Sequence, residues 1–157
     1  MAEYRFCTLW RVAAPLEDVW DIIYDVRSWP QWWRGVEQVL ELAPGDDLGV
    51  GARQRYIWQG VLPYRLSFDM LITAVQPLAL LEGIASGEVE GIGRWQFCRD
   101  GGATQVRYDW QVRTTRCWMN WLAPVARPLF EWNHDFLMEA GRRGLARQLA
   151  SRPAAAG

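Results

Sequence analysis

The sequence predicts an α+β fold: a seven-stranded, curved antiparallel sheet wrapped around one long C-terminal helix, with two short helices after the first strand. Three observations predict it. Apolar and polar residues alternate at period two over residues 4–12 and again from 36 to 115. The connections within that second stretch are short, and short connections join antiparallel neighbours because a parallel pair needs a long crossover. Helical spacing is confined to residues 15–35 and 128–150, and only the second segment is long enough to cover a sheet face.

Each element follows from its residues. YRFCTLWRV (4–12) sets Tyr4, Phe6, Thr8, Trp10 and Val12 on one parity against Arg5 and Arg11, which reads as a strand. Pro15 then opens a helix over 15–25. Glu17 and Asp18 stand in its first turn, and Leu16, Val19, Trp20 and Ile23 form its apolar stripe. In SWPQWWRGV (28–36), Ser28 and Gln31 have capping-box spacing, and Gly35 supplies a stop. Trp29, Trp32 and Trp33, at i, i+3 and i+4, fall on one side of the two-turn helix this spacing predicts. Six strands follow, over 36–43, 51–59, 64–75, 79–87, 92–99 and 103–115, punctuated by PGDDLG, GVLP, QP, EGIG and RDGG. Pro124 and Pro128 interrupt any helix before about residue 128, so the long helix is expected over 128–150. Residues 1–150 read as one domain and 151–157 as a flexible tail.

Composition narrows the partners. The 17 basic and 18 acidic residues nearly cancel, which gives no electrostatic ground for nucleic-acid binding. Every basic residue is arginine, so lysine Schiff-base chemistry is excluded. No apolar run approaches the roughly 20 residues of a membrane span, so no integral membrane association is expected. MAEYRFCTLWR lacks the layout of a signal peptide. Cys7, Cys98 and Cys117 are far apart and odd in number, which argues for reduced, buried or half-buried thiols and a cytoplasmic location. No pattern specifies an oligomeric state.

The alternation sets the facing of each strand. Tyr56 and Trp58, then Tyr64, Leu66, Phe68, Met70 and Ile72, share one side, while Arg53, Arg55, Arg65, Ser67 and Asp69 take the other. Trp95 and Phe97 oppose Arg94 and Gln96; Val106, Tyr108, Trp110 and Val112 oppose Arg107, Asp109, Gln111 and Arg113. The inner face is therefore aromatic and aliphatic. Two arrangements account for it: a filled core, or a cavity with aromatic walls suited to planar or greasy ligands. Tyr56, Tyr64 and Tyr108 bring hydroxyls to that face. His134, the single histidine, shares a helical stripe with Phe130, Leu137, Gly141 and Leu145. Gly141 is expected to let the helix approach the sheet, which opens the hollow toward the helix's N-terminal half, where His134 looks in. His134 is the one candidate for catalysis. No second ligand at helical spacing makes a metal site, and no Gly-rich phosphate loop calls for a cofactor.

The stretches AAPLEDVWDIIYD and WPQWWRGV within 13–36, GIGRWQF (91–97), VRYDWQV (106–112) and RPLFEWNHDFLMEAGRRGL (127–145) resemble the START-like (SRPBCC) helix-grip superfamily. The detailed match is to its bacterial polyketide cyclase/dehydrase-like branch. The resemblance runs from Tyr4 to Leu149 and implies the helix-grip fold and an internal cavity for lipids, sterols, aromatic polyketides or quinones. Residues expected at such a ligand are Trp33, Tyr56, Trp58, Tyr64, Phe68, Met70, Trp95, Tyr108, Trp110, Phe130 and His134. The expected function is binding or transport of a hydrophobic small molecule. The alternatives are a polyketide cyclase/dehydratase using His134 and a tyrosine, and a chaperone or interaction module docking through an exposed Trp29 or Trp118.

Overall fold

A computed structural model describes residues 3–152. Strand β1 (Glu3–Val12) leads into helix α1 (Leu16–Tyr24), a 3-10 turn (Val26–Ser28) and the short helix α2 (Trp29–Trp32). Strands β2 (Val36–Ala43), β3 (Arg53–Trp58), β4 (Leu66–Gln76), β5 (Leu80–Gly87), β6 (Val89–Asp100) and β7 (Ala103–Thr114) follow, and helix α3 (Cys117–Ala150) closes the fold. The seven strands form one antiparallel sheet in the order β1-β7-β6-β5-β4-β3-β2. This is the helix-grip architecture the resemblance implied.

Facing follows the alternation. Tyr56, Phe68, Trp95, Phe97, Val106, Trp110 and Val112 are buried. The arginines point outward and pair with acids on the outer face, as in Arg55–Asp69 at 2.7 Å, Arg94–Glu82 at 2.5 Å and Arg113–Glu90 at 2.9 Å. Exposed pairs of this kind each contribute about 0–1 kcal/mol. Their main effect is to keep charge off the inner face.

Four local expectations are corrected. First, α3 begins at Cys117, not near 128, and runs through both prolines. Pro124 and Pro128 are four residues apart on its exposed side, where the carbonyls that lose an N–H partner can be solvated. Second, Ser28 does not cap α2. It is itself helical, because the 3-10 turn runs straight into α2, and its Oγ instead donates to Asp25 O (2.7 Å) and accepts from Trp32 Nε1 (3.1 Å). The helix is one turn, and Trp33 is already extended (φ −106°, ψ 100°). Third, EGIG is not a turn. Gly91 and Gly93 lie within β6 opposite Val112 and Trp110, and a Cβ at Gly93 would sit 3.1 Å from the Trp110 ring. That glycine makes room for an indole rather than a bend. Fourth, Cys7, Cys98 and Cys117 are all free and exposed.

Gly141 also differs from expectation in what it approaches. A Cβ there would meet Trp33 Cε2 at 2.5 Å, so the glycine admits an indole of the α2 segment, not the sheet. Gly144, one turn on, lies against the Trp32 backbone in the same way. α3 is thereby clamped to α2 through its C-terminal half. Residues 153–157, most of the expected tail, lie outside the described residues. Arg152, just before them, has its guanidinium 3.5 Å from Asp18 of α1.

Candidate functional site

The interior has two unlike ends. At the α2 end, Trp33 is wholly buried, and its ring centroid lies 4.9 Å from Trp29, 5.0 Å from Trp58, 5.5 Å from Trp32, 5.6 Å from Trp10 and 6.1 Å from Trp95. The polar tips of the three α2-segment indoles are satisfied. Trp29 Nε1 donates to Ile23 O at 3.0 Å, Trp32 Nε1 to Ser28 Oγ, and Trp33 Nε1 to Leu137 O at 2.8 Å. These tryptophans are core, held by hydrogen bonds as well as by packing.

Against the middle of α3, from Phe130 to Met138, the packing opens into a cavity of about 110 Å³; because α3 starts at Cys117, this is not the N-terminal half expected of a helix over 128–150. Its walls come from β1 (Tyr4, Phe6), the β3–β4 region (Trp58, Tyr64, Leu66, Phe68), β7 (Tyr108, Trp110, Val112) and α3 (Phe130, Asn133, His134, Leu137). No Asp, Glu or Arg among the described residues lines it. A second cavity of about 40 Å³ lies between Trp29, Tyr56, Met70 and Trp95, and it shares Trp58, Phe68 and Tyr108 with the first. Those three side chains are the partition between the two.

Several polar atoms of the larger cavity's lining residues lack a partner. Tyr4 Oη, Trp58 Nε1 and both ring nitrogens of His134 are buried with no hydrogen-bond partner among the described residues. His134 lies flat on Phe6, ring centroids 3.8 Å apart and planes 12° from parallel. Its Nδ1 is 3.8 Å from Asp135 Oδ1, beyond hydrogen-bond reach. Burial penalises the imidazolium more than Asp135 favours it, so the His134 pKa falls to about 4 and the ring is neutral at pH 7. Burial likewise raises the pKa of Tyr4, Tyr64 and Tyr108. The cavity is uncharged as well as apolar.

Above it, the β3–β4 loop is tied to α3. Asn133 Oδ1 accepts from the backbone N–H of Val61 (2.8 Å) and of Leu62 (3.3 Å), and Gly60 fits directly against the same side chain. The far end of the loop carries Tyr64, whose ring meets Trp118 and Phe130 edge-on at 5.5 and 6.3 Å.

Of the residues expected at a ligand, Tyr64, Trp110, Phe130 and His134 line the larger cavity, Tyr56, Met70 and Trp95 the smaller, and Trp58, Phe68 and Tyr108 both. Trp33 is corrected: it lines neither, because the hydrogen bond to Leu137 and the space at Gly141 draw it into the core. Trp29 is buried and offers no docking surface. Other residues of the larger cavity's wall, Tyr4, Phe6 and Asn133 among them, lie outside the expected ligand set. Tyr4 and Phe6 share the inward parity of Trp10 and were legible as such. Asn133 gave no signal, since its role depends on where the loop falls.

Comparison with known proteins places these features. The family described as polyketide cyclase / dehydrase and lipid transport matches residues 10–150, and the chain belongs to it. Among solved structures, the Zhui aromatase/cyclase from Streptomyces sp. R1128 superposes with a TM-score of 0.79 at 18% identity, covering 99% of each chain. A START superfamily protein from Mycobacterium smegmatis gives 0.75 at 17% identity, covering 93% of this chain and 97% of that one. The ginseng (Panax ginseng) major latex-like protein 151 gives 0.71 at 11% identity, covering 94% and 97%. At these identities the likeness is one of fold. No curated protein matches significantly.

Proposed function

We propose that the protein binds a hydrophobic small molecule in the cavity between the sheet and the middle of α3. The observation that carries this reading is the cavity itself, walled by aromatic and aliphatic side chains with no charged group. Membership in a family described by lipid transport supports it, as does the fold shared with a START superfamily protein. Native mass spectrometry of protein purified from its own host tests it: a bound apolar molecule is the expected result. Repeatedly empty protein, with tryptophan fluorescence unmoved by a panel of lipids and aromatic polyketides, contradicts it.

Cyclase or dehydratase chemistry is the alternative, favoured by the family description and by His134 facing the cavity with Tyr4, Tyr64 and Tyr108. Its proton shuttle is poor on present geometry. An imidazole with a pKa of about 4 is a weak base at pH 7, and no carboxylate within hydrogen-bond reach orients it. Binding without turnover is therefore the stronger reading. His134→Gln separates the two: it abolishes turnover if His134 is the shuttle and leaves binding intact if it is wall.

An interaction role has one feature in its favour. Trp118, Trp121, Val125 and Trp132 are exposed along the first half of α3, Trp121 and Val125 by 81% and 83%. No helix in the described residues is long and apolar enough to cross a membrane. A cytoplasmic setting accords with three exposed free cysteines, which a reducing compartment keeps as thiols.

A further inference from the structure

Two facts about the cavity bear on what it takes. An engineered apolar cavity of about 150 Å³ in another protein holds benzene. The larger cavity here holds about 110 Å³ and is partly open to solvent, and the smaller, at about 40 Å³, adjoins it, with Trp58, Phe68 and Tyr108 lining both. A ring-sized guest held wholly between sheet and helix therefore needs these shared side chains to move. Of the three partition residues, Trp58 is the one with a buried polar atom lacking a partner. It is also only partly buried, unlike Trp29 and Trp33, which it meets edge-on at 6.3 and 5.0 Å.

The chemistry of the orphaned atoms restricts the guest. An indole N–H donates and never accepts, so Trp58 calls for an acceptor on the ligand. A neutral imidazole offers one donor and one acceptor, and the Tyr4 hydroxyl offers either. Among the described residues no Asp, Glu or Arg lines the larger cavity, and the one acid beside the smaller, Glu82, is already paired with Arg94, so a ligand carboxylate or ammonium would lose its hydration and gain no free counter-charge, a cost far above that of an uncharged oxygen.

Resting on the binding reading above, we propose that the ligand is an uncharged ring compound bearing a carbonyl-type oxygen, and that Trp58 turns toward the cavity to donate its indole N–H to that oxygen, joining the two cavities. In the fold this N–H is buried with no hydrogen-bond partner among the described residues. Binding relieves that cost, which makes Trp58 both partition and specificity residue.

The test uses single-ring probes of similar size: ethylbenzene, acetophenone, benzoate and phenethylamine. Full-length protein is titrated calorimetrically while the tryptophan indole N–H resonances are followed by NMR. Wild type is expected to bind acetophenone at least as tightly as ethylbenzene, despite the ketone's greater cost of leaving water, with the Trp58 N–H signal moving downfield for acetophenone alone. Benzoate and phenethylamine should bind at least about 100-fold more weakly. Trp58→Phe should weaken acetophenone about tenfold and leave ethylbenzene within about threefold. Equal losses for both ligands in the variant, a Trp58 signal unmoved by acetophenone, or benzoate binding as well as the ketone each overturn the inference while leaving the binding reading intact. So does a Trp58 N–H already hydrogen-bonded before ligand is added, because bound water then meets the donor. If neither uncharged probe binds wild type, the binding reading falls and takes the inference with it. The wild-type resonances carry the test should Trp58→Phe fail to fold.

Discussion

The two ends of the gripped interior use the same residue type to opposite ends. Around α2, tryptophans fill space: Trp33 touches five other indoles, and the N–H groups of Trp29, Trp32 and Trp33 each reach an oxygen. Around His134, aromatic rings frame space, and four polar atoms of Tyr4, Trp58 and His134 lack a partner among the described residues. A satisfied indole cluster adds stability. An aromatic wall with unpaired polar atoms costs stability and leaves room for something else to satisfy it. Trp58 stands at the border and belongs to both.

The comparison breaks most easily at Trp33. Truncation to alanine removes a fully buried indole and leaves a void that the clamped α2–α3 contact cannot close, so Trp33→Ala should cost about 3–5 kcal/mol. Phe6→Ala, on the cavity side, should cost less than half as much, because one face of that ring already borders empty space. Urea unfolding of both variants measures the difference. Equal costs would mean the cavity end is packed as tightly as the other.

Much of this division was legible in the sequence. Period-two alternation placed Tyr56, Phe68, Trp95 and Trp110 inward and the arginines outward, because in a sheet with one buried face each residue has only two choices. Helical periodicity put His134 on the buried stripe with Phe130 and Leu137. What stayed hidden depends on contacts far apart in sequence. Trp33 became core through Leu137 and Gly141, more than 100 positions away. The true start of α3 has no local signal, because local sequence registers the lost hydrogen bonds of Pro124 and Pro128 but not that both residues face solvent. Which indole has a partner for its N–H has no local signature at all.

Acid sharpens the comparison next. His134 has a pKa of about 4 in the fold against an ordinary 6.5, so between those values the unfolded chain takes the proton and the folded one does not. Its contribution is in full force above about pH 6.5 and is lost as pH falls toward 4, on the order of 3 kcal/mol in all. His134→Gln should remove that share of the pH dependence, while the indole cluster contributes none. Urea midpoints at pH 7 and pH 4.5 for wild type and variant decide it; parallel pH profiles would show that His134 is protonated in the fold.

A methyl group placed at the other end gives a smaller effect. Gly141→Ala sets a Cβ about 2.5 Å from Trp33 Cε2, inside any tolerable contact. The better helix propensity of alanine, worth about 1 kcal/mol, offsets part of the overpacking cost of about 1–3 kcal/mol. A net loss of about 1 kcal/mol, the middle of that difference, and a shifted Trp33 indole resonance are expected. An unchanged or stabilised protein would show that the α2–α3 clamp has slack.

The smallest effect lies at the cavity's roof, and it separates stability from access. Asn133→Ala deletes the acceptor for the Val61 and Leu62 N–H groups, a loss of about 1 kcal/mol confined to the β3–β4 loop. Local loss with global stability nearly intact is the signature of a segment that opens without unfolding the rest. Hydrogen exchange at Val61 and Leu62 should therefore quicken about fivefold, a factor matching 1 kcal/mol, while amides of α1 and β2 stay protected. Release of a bound apolar probe should quicken with it, because Tyr64 rides on the same loop. Asn133→Asp keeps the acceptor and should keep the protection. Faster exchange without faster release would place the ligand's way out elsewhere, along the exposed face of α3 near Trp118.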